Sequence, residues 1–348
     1  MLTNEMSQIF INFAEKECKG SSLLYEHLSK KIATDEPLLE ICRNAQKGQP
    51  VPNLLFGAVH YLLLKGKEHP LKGYYPNMVD HPKSYKESFA SFQDFCLTYR
   101  DEIEPILNNR IVQTNEVRRC TYLYPAFCEI YERTKKPLAL IEIGTSAGLQ
   151  LLWDQYSYSY GKATIYGNKE SKLLMTSEII GEQIPKIMYA PPPVSTRIGL
   201  DLNIIDLNDE DDKLWLTSLI WPEHKERLAM FEEAANYVKA SSVKLVNGDG
   251  IRLLPAYIDE ISADHIVCIF HTHVANQMPI EVKKQLLQTI EAFGKKRDIF
   301  HIYNNIQDRN LHLDYYMNGI LSEDTIAETD GHGRWFKWLW TNERARVQ

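Results

Sequence analysis

The stretch Leu138-Ala-Leu-Ile-Glu-Ile-Gly-Thr-Ser-Ala-Gly-Leu149 decides the fold. Its first half, Leu138–Ile143, is a short apolar run of the kind that forms a strand buried in a parallel sheet. Glycine and small residues follow, and a helical pattern then extends from about Ala147 to Tyr156. A strand, a glycine turn and a helix in this order predict the first unit of a doubly wound α/β sheet.

Strand-like and helical patterns alternate through the rest of the chain. They lie at Arg197–Leu202 (strand), on both sides of Trp221-Pro222 (helices), and at Val243–Val246 (strand), Ile266–Phe270 (strand), Pro279–Phe293 (helix) and Ile299–Tyr303 (strand). We therefore predict a doubly wound, mostly parallel, Rossmann-like sheet over residues 134–348. Alternating tyrosines predict a hairpin inserted at about 156–196. The end of the sheet is predicted to be an antiparallel hairpin of Leu311–Met317 against Trp335–Trp340.

Residues 1–133 show helical spacing of apolar residues and no alternation of strand type. Ser21-Ser22 can cap a helix over Leu23–Ile32, and Val51-Pro52 opens a long apolar segment. We predict a helical N-terminal region that covers the mouth of the sheet and helps to choose the substrate.

Composition limits the classes of function. The chain has 348 residues, of which 44% are apolar and 24% charged, and its net charge is −7, so disorder and a dedicated nucleic-acid binder are both disfavoured. No apolar run approaches the ~20 residues of a membrane span. The start of the chain lacks the pattern of a signal peptide, and the six cysteines form no CxxC pair. We expect a cytoplasmic protein that acts on a small molecule.

The segment Glu142-Ile-Gly-Thr-Ser-Ala-Gly148 is open to two chemical interpretations. An acidic residue followed by a glycine loop at the end of a first strand resembles motif I of class I methyltransferases. That likeness predicts S-adenosylmethionine as the cofactor, contacted by Glu142, Gly144, Thr145, Ser146 and Gly148. A dinucleotide is disfavoured because Ser146 replaces the glycine that admits a pyrophosphate.

The same segment satisfies G-x-S-x-G, the nucleophile elbow of serine hydrolases, with Ser146 as nucleophile. That fold needs several strands and an HGGG-type loop before the elbow, whereas the upstream region is helical. A purely structural glycine turn is the third interpretation. We rank methyltransferase-like binding ahead of both.

Two carboxylates follow later strands. Asp201 ends the second predicted strand, where such folds place the acid that accepts the ribose hydroxyls, and Asp249 follows the third, at the position of an adenine-binding acid. A helix cap or a surface carboxylate explains Asp201 equally well. A common Gly-Asp-Gly turn explains Asp249 equally well.

His271 and His273 follow the fourth predicted strand, so we expect them to face the ligand cleft. An imidazole there could act as the base for a methyl acceptor that must lose a proton. Ordinary hydrogen-bonded histidines are the simpler interpretation. We predict no metal site, because no Cys, Asp or Glu nearby completes a ligand set.

Five further residues are candidates for substrate binding. They are Asn115, Glu116, Arg119, Tyr158 and His332. The first three can face the cofactor loop, or they can cap a helix and form a surface ion pair. Tyr158 can line a lid or pack within its hairpin. His332 joins the last two strands, and it faces the cleft if the first of these strands is parallel to the sheet; otherwise it is a turn residue.

The chain resembles an uncharacterised bacterial family, a domain of unknown function, over nearly its whole length. The similar segments are Gly20-Ser-x-Leu-x-Tyr25, Tyr74-Tyr-Pro76, Gln113-Thr-Asn-Glu116 with Arg119, Gly144-x-Ser-Ala-Gly-Leu149, Asp201-Leu-Asn203, Trp221-Pro222, Gly248-Asp249 and His332-Gly-x-Trp335. The resemblance implies a class I methyltransferase-like core behind a helical N-terminal region.

We expect an S-adenosylmethionine-dependent methyltransferase with a small-molecule acceptor. The alternatives are a Rossmann-like binding protein without turnover and, less favoured, a serine hydrolase that uses Ser146.

Overall fold

The computed structural model describes residues 2–340, with side chains from residue 5. The chain forms two compact units. The first contains the residues up to Thr114 and the returning segment Asn208–Ala229, and the second contains Asn115–Leu207 and the chain from Met230 onward. These units differ from the predicted division after residue 133. Residues 115–133 belong to the unit that holds the sheet, and the return of Asn208–Ala229 to the helical unit was not predicted.

The α-helices are α1 Leu2–Phe13, α2 Leu23–Ile32, α3 Glu36–Cys42, α4 Val51–Leu64, α5 Ser88–Thr98, α6 Arg100–Asn109, α7 Cys120–Thr134, α8 Glu210–Ser218, α9 Lys225–Lys239, α10 Gly250–Glu260 and α11 Ile280–Gly294. Across residues 2–340, none of the helices combines the length and the apolar character that a membrane crossing requires.

The strands are β1 Leu138–Ile143, β2 Ser157–Ser159, β3 Ile165–Gly167, β4 Leu174–Thr176, β5 Glu178–Ile179, β6 Val194–Asp201, β7 Lys244–Asn247, β8 Ile266–His271, β9 Ile299–Tyr303, β10 Leu311–Met317, β11 Ile320–Thr329 and β12 Trp335–Trp338.

The first unit is helical, as its sequence pattern predicted. Helix α2 begins at the expected cap, where Ser22 Oγ accepts the Tyr25 N–H at 3.0 Å. Helix α4 is apolar on nearly all sides and lies in the middle of the unit. Its Phe56 ring stacks on Tyr25, with 4.1 Å between ring centroids, so the buried aromatic core forms around this helix.

The second unit is built on a nine-stranded, mostly parallel sheet with flanking helices. Its strand order is β5-β12-β11-β10-β9-β8-β1-β6-β7. The five strands from β9 to β7 are parallel, and β10 pairs antiparallel with β9 and with β11. The chain runs outward from β1 to β7 and then crosses to β8. The carboxyl ends of β1 and β8 therefore flank the point where strand order reverses, which is where open α/β sheets bind ligands.

The two faces of the sheet bury different partners. On one face, helices α10 and α11 cover aliphatic residues of β1, β6, β8 and β9. On the other face, Phe127 of α7 meets the Phe270 ring edge at 5.4 Å between centroids and stacks on Trp153 at 4.5 Å. This packing explains why α7 belongs with the sheet. All six cysteines are buried free thiols.

The predicted helix from Ala147 to Tyr156 is wrong. Leu149–Gln155 instead forms short 3₁₀ turns with a break at Leu152. Gly148 has φ +78°, a left-handed conformation that no α-helix can include, and Tyr156 is already extended. The non-helical backbone at Leu152 divides the seven residues between them, so no regular α-helix forms.

The predicted C-terminal hairpin is also wrong in its pairing. Strand β10 pairs with Ile320–Thr329, and Trp335–Trp338 pairs with that strand rather than with β10. The connecting residues Asn318 and Gly319 both have positive φ, as a two-residue type I′ hairpin turn requires. Strand β11 was not predicted because its sequence is polar. The tyrosine hairpin is present as β2 and β3, with β4 as a third strand.

Candidate functional site

The loop after β1 is bonded to the end of β6. Gly144, Ser146 and Gly148 all have left-handed φ values, of +74°, +52° and +78°. The Ser146 N–H donates to Asp201 Oδ2 at 2.7 Å, and the Asn203 N–H donates to Asp201 Oδ1 at 2.9 Å. The glycine loop and the acid that the sequence singled out therefore meet at the carboxyl ends of β1 and β6, beside the strand-order reversal.

The two loop glycines are required by close packing. A Cβ on Gly144 would lie 2.6 Å from Val274 Cγ2, and one on Gly148 would lie 3.0 Å from Leu245 Cδ2. Gly148 thus permits close packing against β7, as its sequence position suggested. Gly144 is closed over by Val274, so a substitution there would disturb packing as well as any ligand.

Glu142 lies under the loop with 4% of its surface exposed. Burial raises its pKa to about 8, despite the Thr145 hydroxyl, which donates to Oε2 at 2.6 Å and acts in the opposite direction; the charge of Asp201 raises the pKa further. Glu142 is therefore mostly protonated at neutral pH. Burial also raises the pKa of Asp201, against three backbone N–H donors that lower it.

The segment before α7 lies against this loop. Asn115 Nδ2 donates to Ser146 Oγ at 3.1 Å, and Gln150 Nε2 donates to the Glu116 carbonyl at 3.3 Å. Arg119, with 6% exposure, donates through Nη1 to Thr272 Oγ1 at 3.3 Å. The three predicted polar residues of this segment are thus brought to the carboxyl edge of β1 and β8.

His332 reaches the same group from the turn between β11 and β12. Its Nδ1 lies 3.0 Å from Glu116 Oε2, and Arg119 Nε donates to the neighbouring Gly331 carbonyl at 2.9 Å. Strand β11 runs parallel to β9, because β10 is antiparallel to both. The turn therefore lies at the edge where the parallel strands end. The condition set by the sequence, a parallel Leu311–Met317, is not met, because that strand is antiparallel to β9; the unpredicted strand β11 brings the turn to this edge instead.

The two histidines predicted as a base have a different environment. His271 is fully buried against His301, with 5.2 Å between ring centroids. His273 has a left-handed φ of +64°, and its N–H donates to Asn304 Oδ1 at 2.7 Å. Burial lowers the pKa of both rings to about 3, aided by the charge of Lys283 at His271 and of Arg119 at His273. Groups with so low a pKa are weak bases at neutral pH.

The structure does not bring Tyr158 and Asp249 into this group. The Tyr158 ring is fully buried, packs on Tyr124 at 4.5 Å between centroids and donates to the Trp153 carbonyl. Asp249 is exposed and caps α10 by accepting the Ile251 N–H at 3.0 Å. Their predicted contacts with substrate and adenine remain predictions.

Sequence reasoning missed two members of the group. Thr272 Oγ1 donates to Gln150 Oε1 at 3.1 Å, which links the end of β8 to the segment after the loop. Thr272 lies between His271 and His273, the two histidines that the sequence analysis chose. Its position directly after a parallel strand was the signal that could have identified it. Within the described residues, no set of three or more His, Cys, Asp or Glu side chains is placed to hold a metal ion.

The fold and site define a mixed α/β protein with a glycine loop and two acidic residues at the carboxyl ends of β1 and β6, beside the strand-order reversal. The chain belongs to the family described as "Uncharacterized protein conserved in bacteria (DUF2332)", whose model matches residues 7–338. No curated protein and no solved structure matches the chain.

Proposed function

We propose that this protein is an S-adenosylmethionine-dependent methyltransferase with a small-molecule acceptor. The observation that carries the proposal is the contact between Asp201 and the Ser146 N–H at 2.7 Å. It joins the glycine loop after β1 to the acid that ends the neighbouring strand β6, beside the strand-order reversal, and this is the combination that class I methyltransferases use for the methionyl and ribose parts of their cofactor. The order of β7, β6, β1, β8 and β9 agrees with a doubly wound core.

Asp201 has room for one ribose hydroxyl. Backbone N–H groups of Ser146, Leu202 and Asn203 bind its carboxylate. An ionised carboxylate has about four acceptor positions, so at least one remains. Because Leu202 is 75% exposed, this end of β6 is accessible from solvent. The residues present therefore fit the cofactor.

A dinucleotide and a serine nucleophile both fit less well. Ser146 has 6% exposure, and its side chain occupies the place where a pyrophosphate would need bare backbone. The segment directly after the loop is not a regular helix, so it offers phosphate no helix N-terminus. Ser146 Oγ accepts a hydrogen bond from Asn115, whose amide cannot take up a hydroxyl proton.

When bound, S-adenosylmethionine supplies a methyl group on a sulfonium that is already a good leaving group. The chain then has to orient the two reactants in line and exclude water. Asp201 and the loop would hold the nucleoside end. Asn115, Glu116 and His332 lie where an acceptor would approach the same edge.

The first prediction concerns Asp201. We expect S-adenosylmethionine and S-adenosylhomocysteine to bind the protein with micromolar affinity, and Asp201→Asn to weaken both. A charge-assisted hydrogen bond contributes about 1.5–3 kcal/mol, which corresponds to about 10- to 100-fold in affinity. Isothermal titration calorimetry measures the change directly.

Two controls separate a ligand contact from a folding defect. Asp209→Asn alters another capping aspartate, in the first unit, and is expected to leave binding unchanged. S-adenosylhomocysteine that lacks the 2′- or the 3′-hydroxyl supplies the second change of a double-mutant cycle. The analogue that lacks the hydroxyl contacted by Asp201 should bind the Asp201→Asn variant and the wild type with the same affinity. Absence of wild-type binding to either cofactor form rejects the proposal. Binding without transfer to any acceptor favours the binding-protein alternative. Variants of Gly144 cannot test ligand binding cleanly, because an added side chain would overlap Val274 and disturb the packing.

A further inference from the structure

Glu116 and His332 form a carboxylate–imidazole pair at this edge. Glu116 has 2% of its side chain exposed and His332 has 46%, and 3.0 Å separates Oε2 from Nδ1. The acid is therefore on the protein side of the pair, and the ring reaches the solvent-accessible side. An exposed ion pair formed for solubility would not bury its acid so completely.

The turn that carries His332 is fixed to the segment that carries Glu116. Thr121 Oγ1 donates to the Gly333 carbonyl at 3.1 Å, and Arg119 Nε donates to the Gly331 carbonyl at 2.9 Å. Asp330 Oδ2 accepts the His332 N–H at 3.2 Å. The backbone on both sides of the ring is held, so the ring is placed before any ligand arrives.

The pair lies beside the proposed cofactor loop. The Glu116 carbonyl accepts from Gln150, the second residue after Gly148, and the preceding Asn115 side chain donates to Ser146 Oγ at 3.1 Å. The acid and the loop are thus joined through adjacent residues of one segment. The base of a transfer reaction needs this proximity to the reacting atoms.

The pairing determines which ring nitrogen is available. An ionised Glu116 can only accept a hydrogen bond, so Nδ1 must carry the proton that it receives. In the neutral ring Nε2 then has the lone pair and can take a proton. His271 is instead fully buried and His273 is half-buried with its pKa lowered to about 3, so the Glu116–His332 pair is the better-placed base.

We propose that His332 is the general base of this edge and that Glu116 is its positioning residue. The inference rests on the proposed function and names its substrate class, an acceptor whose oxygen or nitrogen carries a proton. The acceptor lone pair forms the new bond to the methyl carbon as the carbon–sulfur bond breaks. That bond's electrons stay on sulfur, giving the neutral thioether, and the acceptor proton moves to Nε2 of His332.

The test reads which ring nitrogen of His332 carries the proton in the intact protein. We expect ¹⁵N NMR of the neutral ring to show the proton on Nδ1 and none on Nε2; the signal is assigned by its loss in His332→Gln. A neutral ring protonated on Nε2 overturns the proposal.

Two variants show whether Glu116 sets this state. In Glu116→Gln the new amide can donate to Nδ1, so we expect the Nε2–H form to become at least half of the population. Thr121→Val removes a hydrogen bond to the same turn without touching the ring, and it should leave the tautomer as in wild type. An unchanged tautomer in Glu116→Gln overturns the positioning role.

The result is independent of cofactor binding. A protein with the expected tautomer that binds neither S-adenosylmethionine nor S-adenosylhomocysteine would retain a poised base and lose the methyltransferase proposal. A protein that binds them with the neutral His332 ring protonated on Nε2 would retain the proposed function and lose this inference.

Discussion

Gly333→Ala is expected to lower the free energy of unfolding by about 2–5 kcal/mol, measured by urea denaturation. Gly333 has φ +71°, and a Cβ there would lie 2.5 Å from the Arg118 carbonyl oxygen and 2.7 Å from the Arg118 carbonyl carbon. The left-handed conformation alone costs a non-glycine residue about 1–2 kcal/mol. The overlap adds to this because backbone, unlike a flexible side-chain end, cannot turn away.

Gly319→Ala is the matched control. Gly319 has φ +78° in the turn between β10 and β11, and the nearest atom to its added Cβ is the Lys295 carbonyl oxygen at 4.0 Å. The conformational cost is therefore similar and the overlap is absent, so we expect a loss of only about 1–2 kcal/mol. Equal losses in the two variants would contradict the argument that the β11–β12 turn is packed against Arg118.

The same substitution should affect the site. Moving the turn away from Arg118 separates His332 from Glu116, whose side-chain atoms now lie 3.0 Å apart. The NMR signature of a ring protonated on Nδ1 should then be lost in Gly333→Ala and kept in Gly319→Ala.

The central strands β1, β8 and β9 were predictable from sequence because they are buried on both faces. β1 was placed at Leu138–Ile143, its observed bounds, since a continuous apolar run with glycine after it has few alternatives. β8 and β9 were found for the same reason. A continuous apolar run identifies such strands without reference to their neighbours.

The antiparallel edge was harder to predict, because its second strand is polar. β11 reads Ile-Leu-Ser-Glu-Asp-Thr-Ile-Ala-Glu-Thr and exposes most of its first half. Hydrophobicity therefore gave little indication of it, and Trp335–Trp338 was paired with β10 instead. Asn318-Gly319 was the local signal that could have corrected the error.

Site residues could be predicted where they follow a strand or precede a helix. Asp201, Asn115, Glu116, Arg119 and His332 were all chosen on such grounds, and the structure brings them to one edge. The choice of His271 as a base that faces the cleft rested on its position at the end of β8. Alternation along the strand instead places its side chain on the same face as Ile269, which α10 and α11 cover. One residue of strand register decides between these outcomes.

The second large effect concerns the buried histidines beneath this edge. We expect the double variant His271→Phe/His301→Phe to lose much less stability than wild type between pH 7.5 and pH 4.5. Both rings are fully buried, and among the residues that the structure describes no hydrogen-bond partner reaches a ring nitrogen of either. Burial lowers the pKa of His271 to about 3 and that of His301 well below its ordinary value.

The sign follows from proton binding. In the unfolded chain a histidine takes up a proton near pH 6.5, whereas in the folded protein His271 takes one up only near pH 3. The unfolded state thus binds more protons in this window, and stability falls as the pH falls, by about 1.4 kcal/mol per pH unit per histidine. By pH 4.5 each ring costs roughly 2–3 kcal/mol. Asp314, whose pKa burial raises to about 6, acts in the opposite direction but is the same in both proteins.

The measurement is the change in the free energy of unfolding between pH 7.5 and pH 4.5, obtained by urea denaturation. Imperfect packing of the larger phenylalanine rings lowers stability equally at both pH values, so it does not affect this change. His312→Phe is the control, since His312 Nε2 lies 2.9 Å from Asp308 Oδ1 and is not an unpartnered ring. That variant should lose about 0.5–1.5 kcal/mol of stability at pH 7.5 and keep the acid sensitivity that comes from His271 and His301.

Equal pH dependence in wild type and the double variant would mean that His271 and His301 accept protons in the folded state. The end of β8 could then carry charge directly below Thr272, and the assignment of proton transfer to His332 alone would have to be given up.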